Sequence, residues 1–251
     1  MDSFNTSPRH RALIVADAHL PLDGRPGGEE ELAAFRDLLR ATRKDTALVI
    51  LLGDIFDFWF EWSHVIPKRA VPLLYDLHDF VRDGVEVHFF AGNHDFRLHG
   101  FLDAELGFRL HMDAWTPTID GRRVFIHHGD GMDATDRRYL IMKRLFRDPA
   151  AQRTFSLTLH PDLAMQIGRM TSSLGRRRQS GYPDGKKPDG PYIERAEEIL
   201  RRGYDLVIFG HTHHARLRQL ADGWYHNPGP FLRERRYSVI EGDLPRGEVL
   251  S

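Results

Sequence analysis

Residues 12–19 read Ala-Leu-Ile-Val-Ala-Asp-Ala-His, an apolar run that ends in a carboxylate and an imidazole. The arrangement recurs four times. Ala47–Leu52 leads into Gly53-Asp54, with Asp57 three residues further on. Val85–Ala91 leads into Gly92-Asn93-His94-Asp95, Val124–His127 into His128-Gly129-Asp130, and Leu206–Phe209 into Gly210-His211-Thr212-His213. Short, largely apolar runs bounded by glycine and polar residues read as buried strands. Within Glu29–Arg43, Leu32, Phe35, Leu38 and Leu39 share one helical face, and within Val71–Arg82 Leu74, Leu77, Phe80 and Val81 do the same. Strand–helix–strand–helix–strand predicts an α/β fold built on right-handed crossovers. Weaker strand signals follow at Gly223–Tyr225 and Tyr237–Ile240.

The 251 residues are 41% hydrophobic and 28% charged, enough apolar material for a sizeable core, which excludes a disordered or fibrous chain. A formal charge of −1 excludes a global field for non-specific nucleic-acid binding. With no cysteine, disulfides, thiolate metal sites and cysteine nucleophiles are all excluded. No apolar run reaches the roughly 18–20 residues of a membrane-spanning helix. The polar stretch Met1–Arg11 lacks the apolar region of a secretion signal. The expectation is a soluble, cytoplasmic protein.

From Arg137 to about residue 190 the strand–helix rhythm breaks. Tyr139–Phe146 and Phe155–Leu174 carry apolar residues at helical spacing, and a Gly/Pro-rich stretch over 175–191 reads as a loop. Residues 137–202 hold 15 Lys and Arg against 7 Asp and Glu. This segment is too short and too basic for a core of its own. It reads as a helical insertion at about 137–190 within one domain spanning residues 1–251.

Ligands of open α/β sheets gather outside the carboxyl ends of the strands. Five strand ends bearing Asp, His and Asn can therefore converge on one crevice although nearly 200 positions separate them. Two divalent ions about 3.5–4 Å apart can clamp a phosphoryl group and stabilise both its attacking and leaving oxygens. Asp54 is the candidate bridging carboxylate, Asp17, His19 and His213 the candidates for one ion, and Asn93, His128 and His211 those for the other. The i, i+2 spacing of His211 and His213 lets both imidazoles leave an extended segment on the same side. Mixed nitrogen and oxygen donors suit Mn, Fe or Zn.

The order D-x-H, G-D-x-x-D, G-N-H-D, a His before glycine, and G-H-x-H resembles that of the calcineurin-like metallophosphoesterases, over roughly Arg11 to Pro230. The resemblance implies a four-layer α/β/β/α sandwich with a dimetal centre at one edge. It also implies hydrolysis of a phosphoester or phosphoanhydride by metal-activated water. The implied metal ligands are Asp17, His19, Asp54, Asn93, His128, His211 and His213. His94 takes the position of the histidine that contacts phosphate or protonates the leaving group, with Asp95 to orient it.

Residues 53–59, the His128–Gly131 segment and the helical insertion are similar to the UDP-2,3-diacylglucosamine pyrophosphatases of lipid A synthesis. Many of those have Arg where this chain has His94. That similarity implies substrate contacts from Asn93, His94, Asp136 and His211, with Tyr139 near Asp136, and the charge of the basic insertion adds Arg176 and Arg177 as candidates. The implied substrate is a lipid-linked nucleotide sugar, cleaved at its diphosphate to a lipid sugar 1-phosphate and UMP. It places the protein on the cytoplasmic face of the inner membrane, touching the bilayer through the basic insertion. No protein partner is implied.

Two other readings stand beside this one. One is a dimetal phosphoesterase acting on a nucleotide, a phosphodiester or a phosphoprotein. The other is a non-catalytic metal-binding scaffold, for which a damaged ligand set is expected. The cations Lys143, Arg144, Arg147, Arg153, Arg169 and Arg176–Arg178 are candidates for meeting a diphosphate or anionic lipid. The aromatic cluster Phe56, Phe58, Trp59, Phe60 and Trp62 reads as packing beneath the site. Asp57 reads as an acceptor for a ligand histidine, and Asn227-Pro228-Gly229 as a supporting turn.

Overall fold

The computed structural model describes residues 3–4, 11–98, 100–168, 170, 188–242 and 244–250. Its strands are β1 (Ser3–Phe4), β2 (Arg11–Val15), β3 (Thr46–Leu51), β4 (Trp59–Phe60), β5 (Glu86–Phe90), β6 (Asp95–Arg97), β7 (Arg109–His111), β8 (Thr118–Ile119), β9 (Arg122–His127), β10 (Leu206–Phe209), β11 (Arg216–Leu220), β12 (Gly223–Asn227), β13 (Arg236–Ile240) and β14 (Arg246–Val249). Its helices are α1 (Gly28–Thr42), α2 (Val71–Arg82), α3 (Arg137–Arg147), α4 (Pro149–Thr158), α5 (161–168) and α6 (Gly190–Leu200).

The strands form two six-stranded sheets, ordered β14-β13-β2-β3-β5-β7 and β1-β8-β9-β10-β12-β11. In the first sheet β2, β3, β5 and β7 run parallel, and β13 pairs antiparallel with β2. In the second, β9, β10 and β12 run parallel.

The alternation of each strand decides which layer each side chain joins. Ala12, Ile14, Leu48, Ile50 and Phe90 of the first sheet meet Val124, Ile126, Leu206 and Ile208 of the second in one core. Their neighbours Leu13, Val15, Val49, Leu51, Val87 and Phe89 face the other way, against Leu32, Phe35, Leu38 and Leu39 of α1 and Leu73, Leu74, Leu77 and Phe80 of α2. On the far side, Val207, Phe209 and Tyr225 pack against Tyr192, Ile193, Ala196 and Ile199 of α6. Three cores separate four layers, helix on sheet on sheet on helix. Burial on both faces explains why these strands read as continuous apolar runs.

The insertion is built differently, for neither α3 nor α4 buries a single side chain. The expected helical stretch Phe155–Leu174 does not run through. Its chain leaves helical geometry at Leu159 (φ −108°, ψ 123°), two residues before Pro161, and resumes as α5. Pro161 has no N–H to continue the helix and pushes the residue before it, His160, out of the helical region, so the helix ends just ahead of Pro161. α5 approaches the body closely. A Cβ at Gly168 would collide with the Phe58 ring, and Ala164 beside it is buried. Arg169, Leu174 and Arg176–Arg178 lie outside the described residues. Among the described residues no helix is long and apolar enough to cross a membrane.

Candidate metal centre

The ends of β2, β3, β5, β9 and β10 open at one edge of the sandwich. The first three belong to one sheet and the last two to the other, so the crevice lies between two sheets, not along one open sheet. The loops are stitched to each other through backbone groups. Asp17 N donates to Gly53 O (3.2 Å), His19 N to Asp54 O (2.9 Å), and Gly210 N to His128 O (2.8 Å). His211 N donates to Asp17 Oδ2 at 2.9 Å and His94 N to Asp54 Oδ1 at 2.8 Å.

Asp17, His19, Asp54, His211 and His213 all have positive φ, between 43° and 67°. For residues with a Cβ this backbone costs roughly 1–2 kcal/mol each. Such strain persists only where the surroundings over-determine it, and it gathers at functional sites.

The side chains form three overlapping donor triads: Asp17, His19 and His213; His19, Asp54 and His94; and Asp54, His128 and His211. Within each, the ligand atoms lie within 4.8 Å of one another. That is near the roughly 4 Å separating donors that share one ion at about 2.0–2.2 Å. Asp54 stands at the centre. Its Oδ2 lies 3.4 Å from His128 Nε2, 3.9 Å from His19 Nε2 and 4.0 Å from His94 Nε2. Asp17 Oδ1 lies 3.5 Å from His213 Nε2.

The donor set fits divalent cations. Asp17 Oδ1, Asn93 Oδ1 and His128 Nε2 are buried and make no hydrogen bond, although burying polar atoms in this way is costly. His128 donates from Nδ1 to Leu52 O at 2.7 Å, which turns its Nε2 toward Asp54. Fixing one ring nitrogen so that the other faces the ion is how ligand histidines are held. Gly92 is needed by close approach, since a Cβ there would overlap Asp54 Oδ1 and stand 2.6 Å from Asp54 N.

The electrostatics fit as well. Burial disfavours the Asp54 carboxylate, but the charges of His94, His128 and His19 hold it well below the usual carboxylate range. Burial works against charging His128, yet Asp54, together with Asp17 and Asp130, pushes it up to about 10. Burial, and then the charge of His94, keep His19 well below the ordinary imidazole value. The pocket thus gathers carboxylate charge and attracts cations, protons included, which a metal ion would displace.

The structure changes the expected role of Asp95. Its Oδ2 accepts the backbone amides of Asp54 (3.0 Å) and Gly92 (2.9 Å). The His94 ring is oriented instead by Asp57, whose carbonyl accepts from His94 Nδ1 at 2.7 Å. Burial and the neighbouring Asp54 carboxylate push Asp95 up to about 7. The Asp57 carboxylate lies 4.0 Å from His19 Nδ1 and is paired with Arg25, a residue the sequence reading passed over.

Asp136 is the N-cap of α3, accepting Tyr139 N at 3.1 Å. Lys143 and Arg147, offered above to a diphosphate, turn inward to Asp130, at 2.6 and 3.7 Å. Arg176 and Arg177 are not among the described residues. Asn227 braces the last motif, donating to Gly210 O (2.9 Å) and Thr212 Oγ1 (3.0 Å) and accepting Gly229 N (2.9 Å). The Asn-Pro-Gly turn signal marked this residue without revealing these partners.

The model of the calcineurin-like phosphoesterase family matches residues 10–215. The chain belongs to the calcineurin-like phosphoesterase family. This is a family of metal-dependent phosphoesterases, and the donor triads are where this member can hold divalent ions.

Among curated relatives, a UDP-2,3-diacylglucosamine hydrolase of Porphyromonas gingivalis is 32% identical, over 82% of this chain and 84% of its own. Proteins of the same name from Xanthomonas campestris and Stenotrophomonas maltophilia are 28% and 29% identical, each over 84% of this chain and 85% of their own. Among solved structures, an archaeal phosphodiesterase superposes over 96% of this calcineurin-like phosphoesterase and 99% of its own chain, with 17% identity and a TM-score of 0.48.

Proposed function

We propose that this protein hydrolyses the diphosphate of UDP-2,3-diacylglucosamine, releasing a lipid sugar 1-phosphate and UMP. The carrying observation is a pocket of three overlapping donor triads beside helices that leave apolar side chains in solvent. Ile141, Leu145 and Leu157 are 69%, 62% and 76% exposed, a pattern that marks a binding surface. A groove of about 590 Å³ runs beside Gly131 and α3, lined by Arg137, Leu140, Ile141 and Arg144. A second, of about 530 Å³, lies between the body and α5, lined by Leu22, Trp62, Val65, Ile66 and Met165. Apolar walls edged by guanidinium groups suit acyl chains attached to a diphosphate. The relatives named UDP-2,3-diacylglucosamine hydrolase support the same substrate.

In this reading residues 1–251 form one phosphoesterase domain, and the insertion at about 137–190 is its substrate cap. Asp17, His19 and His213 would hold one ion and Asn93, His128 and His211 the other, with Asp54 available to both. Divalent ions held there, Mn in preference to Fe or Zn, would supply an activated water and neutralise charge on the attacked phosphorus. The protein supplies position. Because the Asp57 carbonyl holds the Nδ1 proton of His94, Nε2 is the atom that meets a phosphate oxygen and carries a proton toward the leaving group. Asp95 acts on His94 indirectly, by holding the Asp54 and Gly92 amides.

Asn93, His94 and His211 face the phosphate. Asp136, at the head of α3, and Arg176 and Arg177, by sequence position, complete the substrate contacts. The cations and exposed apolar residues of the insertion also favour contact with an anionic bilayer on the cytoplasmic side.

The test is release of UMP from UDP-2,3-diacylglucosamine by the Mn²⁺-loaded protein, followed by ³¹P NMR. No release, with clear cleavage of a simple phosphodiester, would reject the substrate and keep the enzyme class.

A further inference from the structure

α3 poses a physical problem, since it lies beside the donor pocket yet buries no side chain. Apolar adhesion adds little to its place: the Phe146 ring meets Phe96 edge-on, 5.2 Å between centroids, and stays 44% exposed. Its attachment is polar and centres on Asp130, which follows His128 by two residues and is 1% exposed. Asp130 Oδ2 accepts the Tyr139 hydroxyl at 2.9 Å and lies 2.6 Å from Lys143 Nζ and 3.7 Å from Arg147. The Asp130 carbonyl accepts a further bond from Lys143 at 2.8 Å. Residues 139, 143 and 147 stand four apart, so they form one stripe along the helix. That stripe converges on a single buried carboxylate, and Arg147 reaches on to Met112 O at 2.8 Å.

We propose that Asp130 is a positioning residue. It fixes α3 over the donor pocket through Tyr139, Lys143 and Arg147, and thereby sets the affinity for a substrate with apolar chains. The inference rests on the reading of the insertion as a substrate cap. The loop that carries His128 also carries Asp130, so one short segment holds a metal ligand and the anchor of the cap. The groove beside α3 is thereby held in register with the reacting phosphorus. The chemistry at phosphorus needs the donor triads. The capture of acyl chains needs α3 in place. The anchor therefore acts on binding of a lipid substrate and leaves small soluble esters untouched. It also accounts for the inward turn of Lys143 and Arg147 toward Asp130.

The test uses the full chain loaded with Mn²⁺ and three variants, two of them at Lys143, on a helix that buries nothing, so that these two fold. Lys143→Met is expected to raise KM for UDP-2,3-diacylglucosamine tenfold or more with kcat within twofold. Its hydrolysis of bis(p-nitrophenyl) phosphate stays within twofold, and amide hydrogen exchange across 137–147 speeds up. Lys143→Arg, which keeps the charge, is expected to restore both KM and exchange. Asp130→Asn is expected to accelerate the same exchange.

A fall in kcat at unchanged KM, an equal loss on both substrates, or unaltered exchange across α3 in Lys143→Met would overturn the proposal. Wild-type protein that cleaves the small diester and not the lipid substrate would instead defeat the substrate reading. The exchange measurement would then decide by itself whether Asp130 holds α3.

Discussion

Replacing Gly92 by alanine adds one methyl group at the centre of the pocket. The new Cβ would overlap Asp54 Oδ1 and sit 2.6 Å from Asp54 N, where ordinary contact begins at 3.4 Å. To relieve this, the Asp54 carboxylate must retreat by on the order of 1 Å, because a backbone tied into two neighbouring loops has less room to give. Three hydrogen bonds depend on the present geometry: Asp54 Oδ1 with His94 N, and Asp95 Oδ2 with the amides of Asp54 and Gly92.

Overpacking of this kind costs about 1–3 kcal/mol in the metal-free protein. For a chain of this size that lowers Tm by roughly 2–4 °C per kcal/mol. The larger effect falls on the ions, since metal–oxygen bonds of about 2.0–2.2 Å do not survive a shift of that size. Saturating Mn²⁺ at about 100 times Kd should stabilise the wild type by about 2.7 kcal/mol per site, and Gly92→Ala by far less. Thermal scans with and without Mn²⁺, beside calorimetric titration of the metal, read both effects. If Gly92→Ala binds two ions with wild-type affinity and keeps its activity within threefold, Asp54 does not bridge them and the assignment of the centre fails.

Chelation should abolish hydrolysis and lower Tm, with Mn²⁺ restoring both; activity that survives exhaustive dialysis against EDTA would contradict a metal-dependent centre. Asn227→Ala removes two donations and one acceptance from the His211–His213 loop, and should cost about 2–4 kcal/mol by urea unfolding together with metal affinity. His226, buried between Arg216 O and Ser238, is lowered by burial to about 4. The unfolded chain therefore takes up this proton first, and about 3 kcal/mol of stability is lost as pH falls from about 6.5 to 4. His226→Gln should flatten that slope in urea titrations at pH 7 and 4.5, and an unchanged slope would show that other groups carry it.

Strand identity and donor identity were legible along the chain because both are local. A strand buried on two faces must be apolar throughout, and the residue at its end is simply the next one in sequence. That is why β2, β3, β5, β9 and β10 could be read in order, with Asp17, His19, Asp54, Asn93, His128, His211 and His213 following at their ends. α2 coincides with the expected Val71–Arg82. The strand Arg216–Leu220 was not legible, because four of its five residues are exposed and three of those four are polar. Neither was α6, which follows directly on a Gly/Pro-rich stretch.

What only the tertiary structure decided were relations between distant segments. The left-handed backbone of five donor-bearing residues, the hold of Asp57 on His94, and the turn of Lys143 and Arg147 toward Asp130 each depend on groups from separate stretches. A charge or an imidazole in sequence states what it can bind. Which partner it binds depends on the desolvated space left once the layers have packed, and no local pattern encodes that.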